Sequence, residues 1–303
     1  MRPFLCVYGH TNLDYIMSLG MFPEPNTSVN VESKKLYYGG TAANVATISA
    51  ALGTPTALCS YVGADLPQGF RDLMESKGLD LRDLVLVDGE ETPTVWIMSD
   101  HEHNQIAFVY QGGMAMMDDL PLRMRAAAES EWIHVMTGRP PYYLALMKEC
   151  RRLRKRISFD PAQEIHHVWN REWFREAMSL ADAFFCNENE LRTALRYLGG
   201  DAPEDLLDHV ELFVNTVGSE GSVVYTRDER IAVPAVKPRR VVDTTGAGDA
   251  FRAGFFTGLR RGASLRDCAV IGSATASFII EERGSLTNVP TWEQVEERVS
   301  ECI

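Results

Sequence analysis

Short apolar runs alternate with helix-like segments along most of the 303-residue chain, and this alternation restricts the folds that the chain can adopt. The apolar runs lie at 56–62, 131–136, 157–159 and 183–186, and the helical segments lie at 44–52, 142–156, 171–180 and 188–198. Strands separated by helices pair in parallel through helical crossovers. The pattern therefore predicts an α/β protein with a mainly parallel, doubly wound sheet. The length fits one α/β domain over residues 1–303 with a smaller appended element.

Two stretches, at approximately 15–38 and 92–110, depart from this alternation. The first contains an alternating polar and apolar segment, and the second has β-rich runs at 94–98 and 105–110 around a turn-like sequence. Such patterns are typical of antiparallel strands. We expect the two stretches to build a small sheet that projects from the main domain. The alternative is two ordinary surface hairpins.

Composition and charge limit the possible partners. With 30 basic and 42 acidic residues the formal net charge is −12, which argues against a nucleic-acid binder because phosphate backbones favour basic surfaces. A compact anion such as a nucleotide needs only a few local donors. No run approaches the roughly 18 apolar residues of a membrane span, and the apolar run 3–9 is typical of a first strand rather than a signal peptide. We expect a cytoplasmic protein that does not bind a membrane.

The cysteines and histidines show no metal-ligand or disulfide spacing. Cys6, Cys59 and Cys186 lie in apolar runs, so we expect them to be reduced core residues. Four histidines in polar stretches are expected at the surface: His101, His103, His166 and His167.

The strongest local signal is the sequence DTTGAGDAF at residues 243–251, which joins a strand-like end to a helix. Gly246, Ala247 and Gly248 leave the backbone N–H groups accessible, so an anion can approach the helix N-terminus closely. Asp249 falls in the first helical turn, where a carboxylate would repel phosphate but can accept a proton from an attacking hydroxyl. The alternative is an aspartate that only caps the helix.

Residues 243–254 resemble the C-terminal signature of the ribokinase (PfkB-type) carbohydrate kinase family, and YGGTAAN at 38–44 resembles its N-terminal signature. Both occur in the family's order, and the resemblance covers essentially the whole chain. It implies a ribokinase-like three-layer fold with a small β-sheet lid formed by the two departing stretches. It also implies transfer of a phosphoryl group from ATP to a hydroxyl group, with Asp249 as the base. The lid would exclude water and form a homodimer by packing on a second lid.

The resemblance also implies the sugar-binding residues. Asn12 and Asp14 would bind the ribose diol, since a carboxylate can accept hydrogen bonds from two vicinal hydroxyls. Gly40 would allow a close backbone approach, and Asn44 would add an amide. On pattern alone Asp14 is equally consistent with a turn residue.

Further positions resemble the family's nucleotide and metal sites. Glu190 is expected to act on Mg²⁺ through water, although the stretch also suits a helix cap. The helix at 272–278 would form a wall of the adenine pocket. Residues expected at ATP are Asn187, Thr216, Gly218, Gly221, Gly246 and Gly248. Residues matching a monovalent-cation site, which in this family holds K⁺, are Asp243, Thr245, Gly284 and Asn288.

Departures from the family pattern bear on the substrate. Ribokinases have Lys after the paired glycines, whereas this chain has Thr41, which argues against ribose and phosphorylated sugars. Several segments resemble archaeal nucleoside kinases of the family: 14–16, 22–28, 91–97, 159–163 and 287–292. The acceptor is then the 5′-hydroxyl of a nucleoside of the cytidine, inosine, guanosine and adenosine class, with Gln163 contacting the base and Tyr110 stacking on it.

Two alternatives remain open from the sequence. One is a ribokinase, fructokinase or keto-deoxy sugar acid kinase of the same family. The other is a nucleotide-binding regulator on the same fold, although such a protein has no need of the base at Asp249.

Overall fold

The computed structural model describes residues 2–102 and 104–301, so the prediction for His103 lies outside the described residues. The strands, in chain order, are β1 (Leu5–Tyr8), β2 (Asn12–Leu19), β3 (Val31–Gly39), β4 (Thr56–Val62), β5 (Asp80–Leu86), β6 (Thr94–Ser99), β7 (Gln105–Tyr110), β8 (Trp132–Val135), β9 (Arg156–Phe159), β10 (Ala183–Asn187), β11 (Leu212–Thr216), β12 (Ser222–Tyr225) and β13 (Arg230–Val233). The α-helices are α1 (Thr41–Ala51), α2 (Gln68–Ser76), α3 (Pro140–Arg152), α4 (Arg171–Leu180), α5 (Glu188–Leu198), α6 (Ala247–Arg260), α7 (Leu265–Ile279) and α8 (Trp292–Ser300).

Nine strands form the large sheet in the order β13-β12-β11-β10-β9-β8-β1-β4-β5. The pairs from β11 through β5 are parallel, whereas β12 is antiparallel to both of its neighbours, β11 and β13. This arrangement confirms the predicted mainly parallel sheet.

Helices cover both faces of the large sheet, which makes three layers. Because successive side chains of a strand point to opposite faces, Leu5 and Val7 of β1 enter one core while Cys6 and Tyr8 enter the other. The first core contains residues of α1, α2, α6, α7 and α8, and the second contains residues of α3, α4 and α5. The three-layer α/β fold is thereby confirmed.

The small sheet has the strand order β3-β2-β6-β7. Its central pair, β2 and β6, joins the two departing stretches, so the alternative of separate surface hairpins is wrong. That pair is parallel rather than antiparallel, as Leu13 aligns with Thr94 and Ser18 with Ser99. β2 also begins at Asn12, earlier than the predicted boundary near residue 15.

Other local expectations are resolved by the same structure. The helix predicted over 142–156 ends at Arg152, because Arg154 takes a left-handed φ of 56° and the chain turns into β9. Cys6, Cys59 and Cys186 are buried, as predicted. His101, His166 and His167 are exposed, as predicted. No helix in residues 2–102 and 104–301 is long and apolar enough to cross a membrane.

The parallel strands bring polar residues to one edge of the large sheet. His10, Thr137, Asp160 and Glu190 follow the carboxyl ends of β1, β8, β9 and β10, and Thr216 ends β11. Ligands of open α/β sheets bind outside the carboxyl ends of the strands. This edge is therefore where a site is expected.

Candidate active site

Gly246 forms the turn that starts α6. Its φ of 79° is left-handed, a conformation that favours glycine. A Cβ at this position would lie 2.4 Å from Cβ of Ser285, so a side chain would also collide with the neighbouring loop. The turn therefore requires the glycine that the sequence signature supplies.

In the first turn of α6 the N–H groups of Gly248 and Asp249 are available to a ligand, whereas that of Ala247 is not. The N–H of Ala247 donates to O of Thr244 at 3.2 Å, and that of Ala250 donates to O of Gly246 at 2.9 Å. No hydrogen bond to another described residue uses the N–H of Gly248 or Asp249. Free amides at a helix N-terminus are suited to an anion.

Asp249 connects the two sequence signatures. The Nδ2 of Asn44, on α1, donates to Oδ2 of Asp249 at 2.8 Å. The Oγ of Ser285 donates to Oδ1 of Asn44 at 2.9 Å, which fixes the orientation of that amide. The carboxylate is thus held from α1 while it stands in the first turn of α6.

Burial raises the pKa of Asp249 to about 7, because the charged form loses solvation. The carboxylates of Asp160 and Glu190 raise this pKa further, whereas the hydrogen bond from Asn44 and the charge of Arg252 oppose the shift. A carboxyl group that titrates near neutral pH suits a general base.

Asp14 lies on β2 against the backbone of β3. A Cβ on Gly39 would lie 2.2 Å from Oδ2 of Asp14, so the glycine makes room for the carboxylate. Burial raises the pKa of Asp14 to about 7, and the charges of Asp249 and Asp243 add to the shift. Two acidic side chains from opposite ends of the chain therefore share one region.

Gly40 and Asn12 lie beside this region. Gly40 has a φ of 99°, and a Cβ there would lie 2.5 Å from the carbonyl oxygen of His10. The Oδ1 of Asn12 is buried and accepts no hydrogen bond from another described residue. An unpartnered buried oxygen is costly unless a ligand or water satisfies it.

A buried ion pair, absent from the sequence predictions, lies behind Asp249. The Nε of Arg252, on α6, is 2.6 Å from Oδ2 of Asp160, which follows β9. Their side chains are 6% and 1% exposed. Nη1 of Arg252 also donates to O of Gly248 at 3.2 Å. The pair therefore ties the start of α6 to the sheet.

Asn187 and Glu190 form a reciprocal helix cap at the start of α5. The N–H and Nδ2 of Asn187 donate to the carboxylate of Glu190 at 2.7 and 2.8 Å, and the N–H of Glu190 donates to Oδ1 of Asn187 at 3.0 Å. The structure therefore confirms that this stretch caps a helix. Burial and the charge of Asp160 raise the pKa of Glu190 to about 7, against the opposing effects of Arg252 and Asn187.

A cavity of about 680 Å³ opens at this edge and extends from Asp249 along α7. Predicted residues that line it are Asn187, Glu190, Thr216, Gly218, Gly221, Ala247, Gly248 and Asp249, with Ser273, Ala276 and Ser277 from the predicted adenine wall. Lining residues that the sequence predictions missed include Asp160, Ser219, Lys237 and Arg252. The volume suits a ligand of nucleotide size.

Three of the other predicted residues lie together, and two are described separately. Asp243 accepts hydrogen bonds from the N–H of Thr245 at 3.0 Å and of Gly284 at 3.1 Å, so these three lie together. Asn288 instead donates to O of Phe278 at 2.7 Å. Gln163 is exposed and is not part of the cavity lining. In the described part of the chain, no group of three or more His, Cys, Asp or Glu residues is arranged to hold a metal ion.

The sequence contains one indication of the ion pair between Arg252 and Asp160. Residues 250–259 are small or apolar apart from Arg252 and Thr257, and Arg252 is the only charged residue among them. Asp160 directly follows the apolar run 157–159. A charged residue within an otherwise apolar helix indicates a buried partner, because an unpaired buried charge is unstable. The partner itself is identified only by the fold.

Comparison with known proteins places this geometry in a family. The family model described as pfkB family carbohydrate kinase matches residues 2–292. A nucleoside kinase of Methanocaldococcus jannaschii is 38% identical over 301 residues, covering 99% of this chain and 97% of that protein. A nucleoside kinase of Methanothermobacter thermautotrophicus is 39% identical over 287 residues, covering 94% and 92%.

A solved structure gives the same result. The crystal structure of Methanocaldococcus jannaschii nucleoside kinase, an archaeal member of the ribokinase family, superposes with a TM-score of 0.92 at 37% identity and covers 99% of each chain. The chain therefore belongs to the pfkB family of carbohydrate kinases and is a phosphotransferase that acts on an alcohol group.

Proposed function

We propose that the protein transfers the γ-phosphoryl group of ATP to the ribose 5′-hydroxyl of nucleosides. The observation that carries this proposal is the 2.8 Å hydrogen bond between Asn44 and Asp249. Asp249 also lines the nucleotide-sized cavity and its charge acts on Asp14, which supports its assignment as the base. Similarity to nucleoside kinases at 38–39% identity supports the nucleoside as acceptor.

The cavity suits ATP as the donor. Its inner end carries the free amides of Gly248 and Asp249, which can hold phosphate oxygens, and its walls include Val236, Ala276 and Ile280, which suit a purine ring. Thr216, Gly218 and Gly221 lie along the same cavity, consistent with contacts to the phosphates or ribose.

Mg²⁺ fits the polar part of the cavity through water. Both carboxylate oxygens of Glu190 already accept hydrogen bonds from Asn187, so this carboxylate suits an outer contact with a hydrated ion better than a direct bond. When bound with ATP, the ion would neutralise charge on the phosphate oxygens.

In the proposed reaction Asp249 removes the proton of the 5′-hydroxyl as that oxygen forms a bond to the γ-phosphorus of ATP. The bond from this phosphorus to the β,γ-bridging oxygen breaks at the same time, and ADP leaves. Asn44 orients the carboxylate, and the amides at the start of α6 hold the transferring group. The raised pKa matters here, because a base with a pKa near the working pH is ionised in about half of the molecules and is still a strong proton acceptor.

Three further roles belong to the proposal. Asp243, Thr245 and Gly284, which lie together, would build a K⁺ site, to which Asn288 would also contribute. Gln163, although exposed, would contact the base. Residues 1–303 would act as one kinase domain whose small sheet is the lid.

The lid is also the proposed homodimer surface. β7 is an edge strand, and Ile106, Phe108 and Val109 on it are 42%, 55% and 51% exposed. Unpaired strand edges that carry apolar side chains favour pairing with another chain. A second copy of the same lid would cover them.

A panel of acceptors tests the proposed function. Cytidine, inosine, guanosine, adenosine, ribose, fructose and a keto-deoxy sugar acid are each supplied with Mg·ATP, and ADP formation is followed in a coupled assay. We expect at least one nucleoside to exceed every free sugar in kcat/KM, with mass spectrometry showing the 5′-monophosphate. A free sugar that exceeds every nucleoside would identify a sugar kinase instead.

Replacing Asp14 with Asn tests the ribose site. Because the amide nitrogen cannot accept a hydrogen bond, one of the two sugar hydroxyls loses its acceptor. The nucleoside KM should rise about 10- to 100-fold with a smaller change in kcat. Steady-state kinetics at saturating ATP measures both parameters.

The matched control is Asp88→Asn, the same change at an exposed residue away from the site. It should leave the nucleoside KM unchanged. An Asp14→Asn variant with wild-type KM would remove Asp14 from the ribose site.

A further inference from the structure

A chain of hydrogen bonds ends at the side-chain amide of Gln111. Oγ1 of Thr41 is 2.6 Å from Oγ1 of Thr137, which is 2.7 Å from Nδ1 of His10. Nε2 of His10 is 2.6 Å from Oε1 of Gln111. His10 and Thr137 are each 4% exposed, whereas Gln111 is only half-buried. One end of the amide is therefore fixed from inside the protein.

The amide lies beside the proposed ribose site. His10 and Thr137 follow the neighbouring parallel strands β1 and β8, at the carboxyl edge of the sheet. Asn12, with its unpartnered Oδ1, follows His10 by two residues, and Gly40 packs against the carbonyl of His10. If Asp14 binds the diol and Asp249 acts on the 5′-hydroxyl, the base is the remaining part of the nucleoside. Gln111 offers a polar group to it in addition to the proposed contact from Gln163.

The second end of this amide is free within the described part of the chain, as Nε2 of Gln111 donates to none of its residues. A ligand can therefore satisfy it. Gln111 directly follows β7, whose last residue, Tyr110, is 41% exposed and offers an aromatic face next to the amide.

The chain of hydrogen bonds can run in either direction. If His10 carries its proton on Nε2, it donates to Oε1 of Gln111, accepts from Thr137 at Nδ1, and the NH₂ group of Gln111 faces outward. If the proton is on Nδ1, it donates to Thr137, and a flipped Gln111 donates to Nε2 so that its oxygen faces outward. Both arrangements satisfy every member of the chain, because a neutral histidine has one donor and one acceptor nitrogen.

We propose that Gln111 determines base specificity by contacting the exocyclic group of the nucleobase, as a donor to a keto group or as an acceptor from an amino group. The inference rests on the proposed function, that the acceptor is a nucleoside. The reversible chain through His10 would allow one site to accept amino bases, such as adenine and cytosine, and keto bases, such as hypoxanthine and uracil.

Gln111→Glu tests this inference, because a carboxylate keeps an acceptor for Nε2–H of His10 but presents only acceptors to the base. The substrates are two size-matched pairs, adenosine with inosine and cytidine with uridine, which differ in one exocyclic amino or keto group and in the proton on the adjacent ring nitrogen. We expect the amino-to-keto ratio of kcat/KM to rise at least about tenfold in both pairs. Gln111→Leu should instead lower kcat/KM for all four nucleosides.

Gln105→Glu is the control, since Gln105 lies exposed at the other end of β7. The ratio is a suitable measure because a loss of folded enzyme affects both members of a pair equally. Ratios within twofold of the wild type in Gln111→Glu would overturn the inference and leave the nucleoside kinase proposal intact. A wild-type enzyme that phosphorylates free sugars but none of the four nucleosides would instead overturn the proposed function, and with it this inference.

Discussion

Replacing Asp249 with Asn is expected to lower kcat by about 10²- to 10⁴-fold, with a smaller change in KM. Asn preserves the shape of the side chain, and its Oδ1 can still accept the 2.8 Å hydrogen bond from Asn44. It cannot accept the proton of the attacking hydroxyl. The measurement is steady-state turnover of the best nucleoside from the panel at saturating Mg·ATP.

The pH dependence of the wild-type rate is a second test of Asp249 as the base. Since burial raises the pKa of Asp249 to about 7, the basic form is lost as the pH falls below that value. The rate should therefore rise with pH through this region and level off above it. The matched control for Asp249→Asn is Asp267→Asn, because Asp267 is an exposed acid in the first turn of the next helix, α7. Near-normal turnover in Asp249→Asn would exclude Asp249 as the base.

Stability distinguishes loss of chemistry from loss of folding. A carboxyl group whose pKa is raised on folding binds more protons in the folded state between its unfolded and folded pKa values, so its contribution to stability falls as the pH rises through that window. For Asp249 the window runs from 3.8 to about 7. Above it the Asn variant carries no buried charge at this position, and its melting temperature should equal or exceed that of the wild type.

Helices with local stop signals could be predicted from the sequence, and those without them could not. Helix α5 begins at the cap formed by Asn187 and Glu190 and ends at Gly199, which takes a left-handed φ of 85°, so both bounds are visible in the residues. Helix α3 ends before Arg154, a non-glycine residue in the left-handed region. No residue type in the sequence indicates that end, so the predicted helix extended to the first residue of β9.

Long-range pairing was the other limit. The two glycine-rich signatures showed separately where the backbone must approach a ligand, but the bond between Asn44 and Asp249 spans 205 positions and requires α1 to pack on α6. The parallel alignment of β2 with β6 likewise depends on how two distant segments meet. The candidate site residues could be named from the sequence, whereas the contacts that orient their side chains depend on the fold.

The ion pair of Arg252 and Asp160 leads to the second large prediction. Arg252→Met should lower the free energy of unfolding by about 3–5 kcal/mol, because Asp160 is left as a buried charge without a partner. Methionine fills a similar volume, so the loss is electrostatic more than steric. Denaturant unfolding followed by circular dichroism measures it.

Arg152→Met is the matched control. Arg152 pairs with Glu149 at 2.6 Å, but its side chain is 69% exposed, so the same substitution should cost less than about 1 kcal/mol. A loss of similar size in both variants would mean that burial of the Arg252 pair has no special effect.

The double variant Arg252→Met with Asp160→Leu separates the structural role of the pair from its role in the site. Replacing both charges by apolar groups removes the unpaired carboxylate, so most of the lost stability should return. Turnover should not return with it, because the Nη1 contact to O of Gly248 that steadies the start of α6 is gone, and with it a charge that lowers the pKa of Asp249. Full activity together with restored stability would mean that the ion pair of Arg252 and Asp160 acts only in folding. Restored stability without activity would mean that the pair also serves the position and ionisation of Asp249.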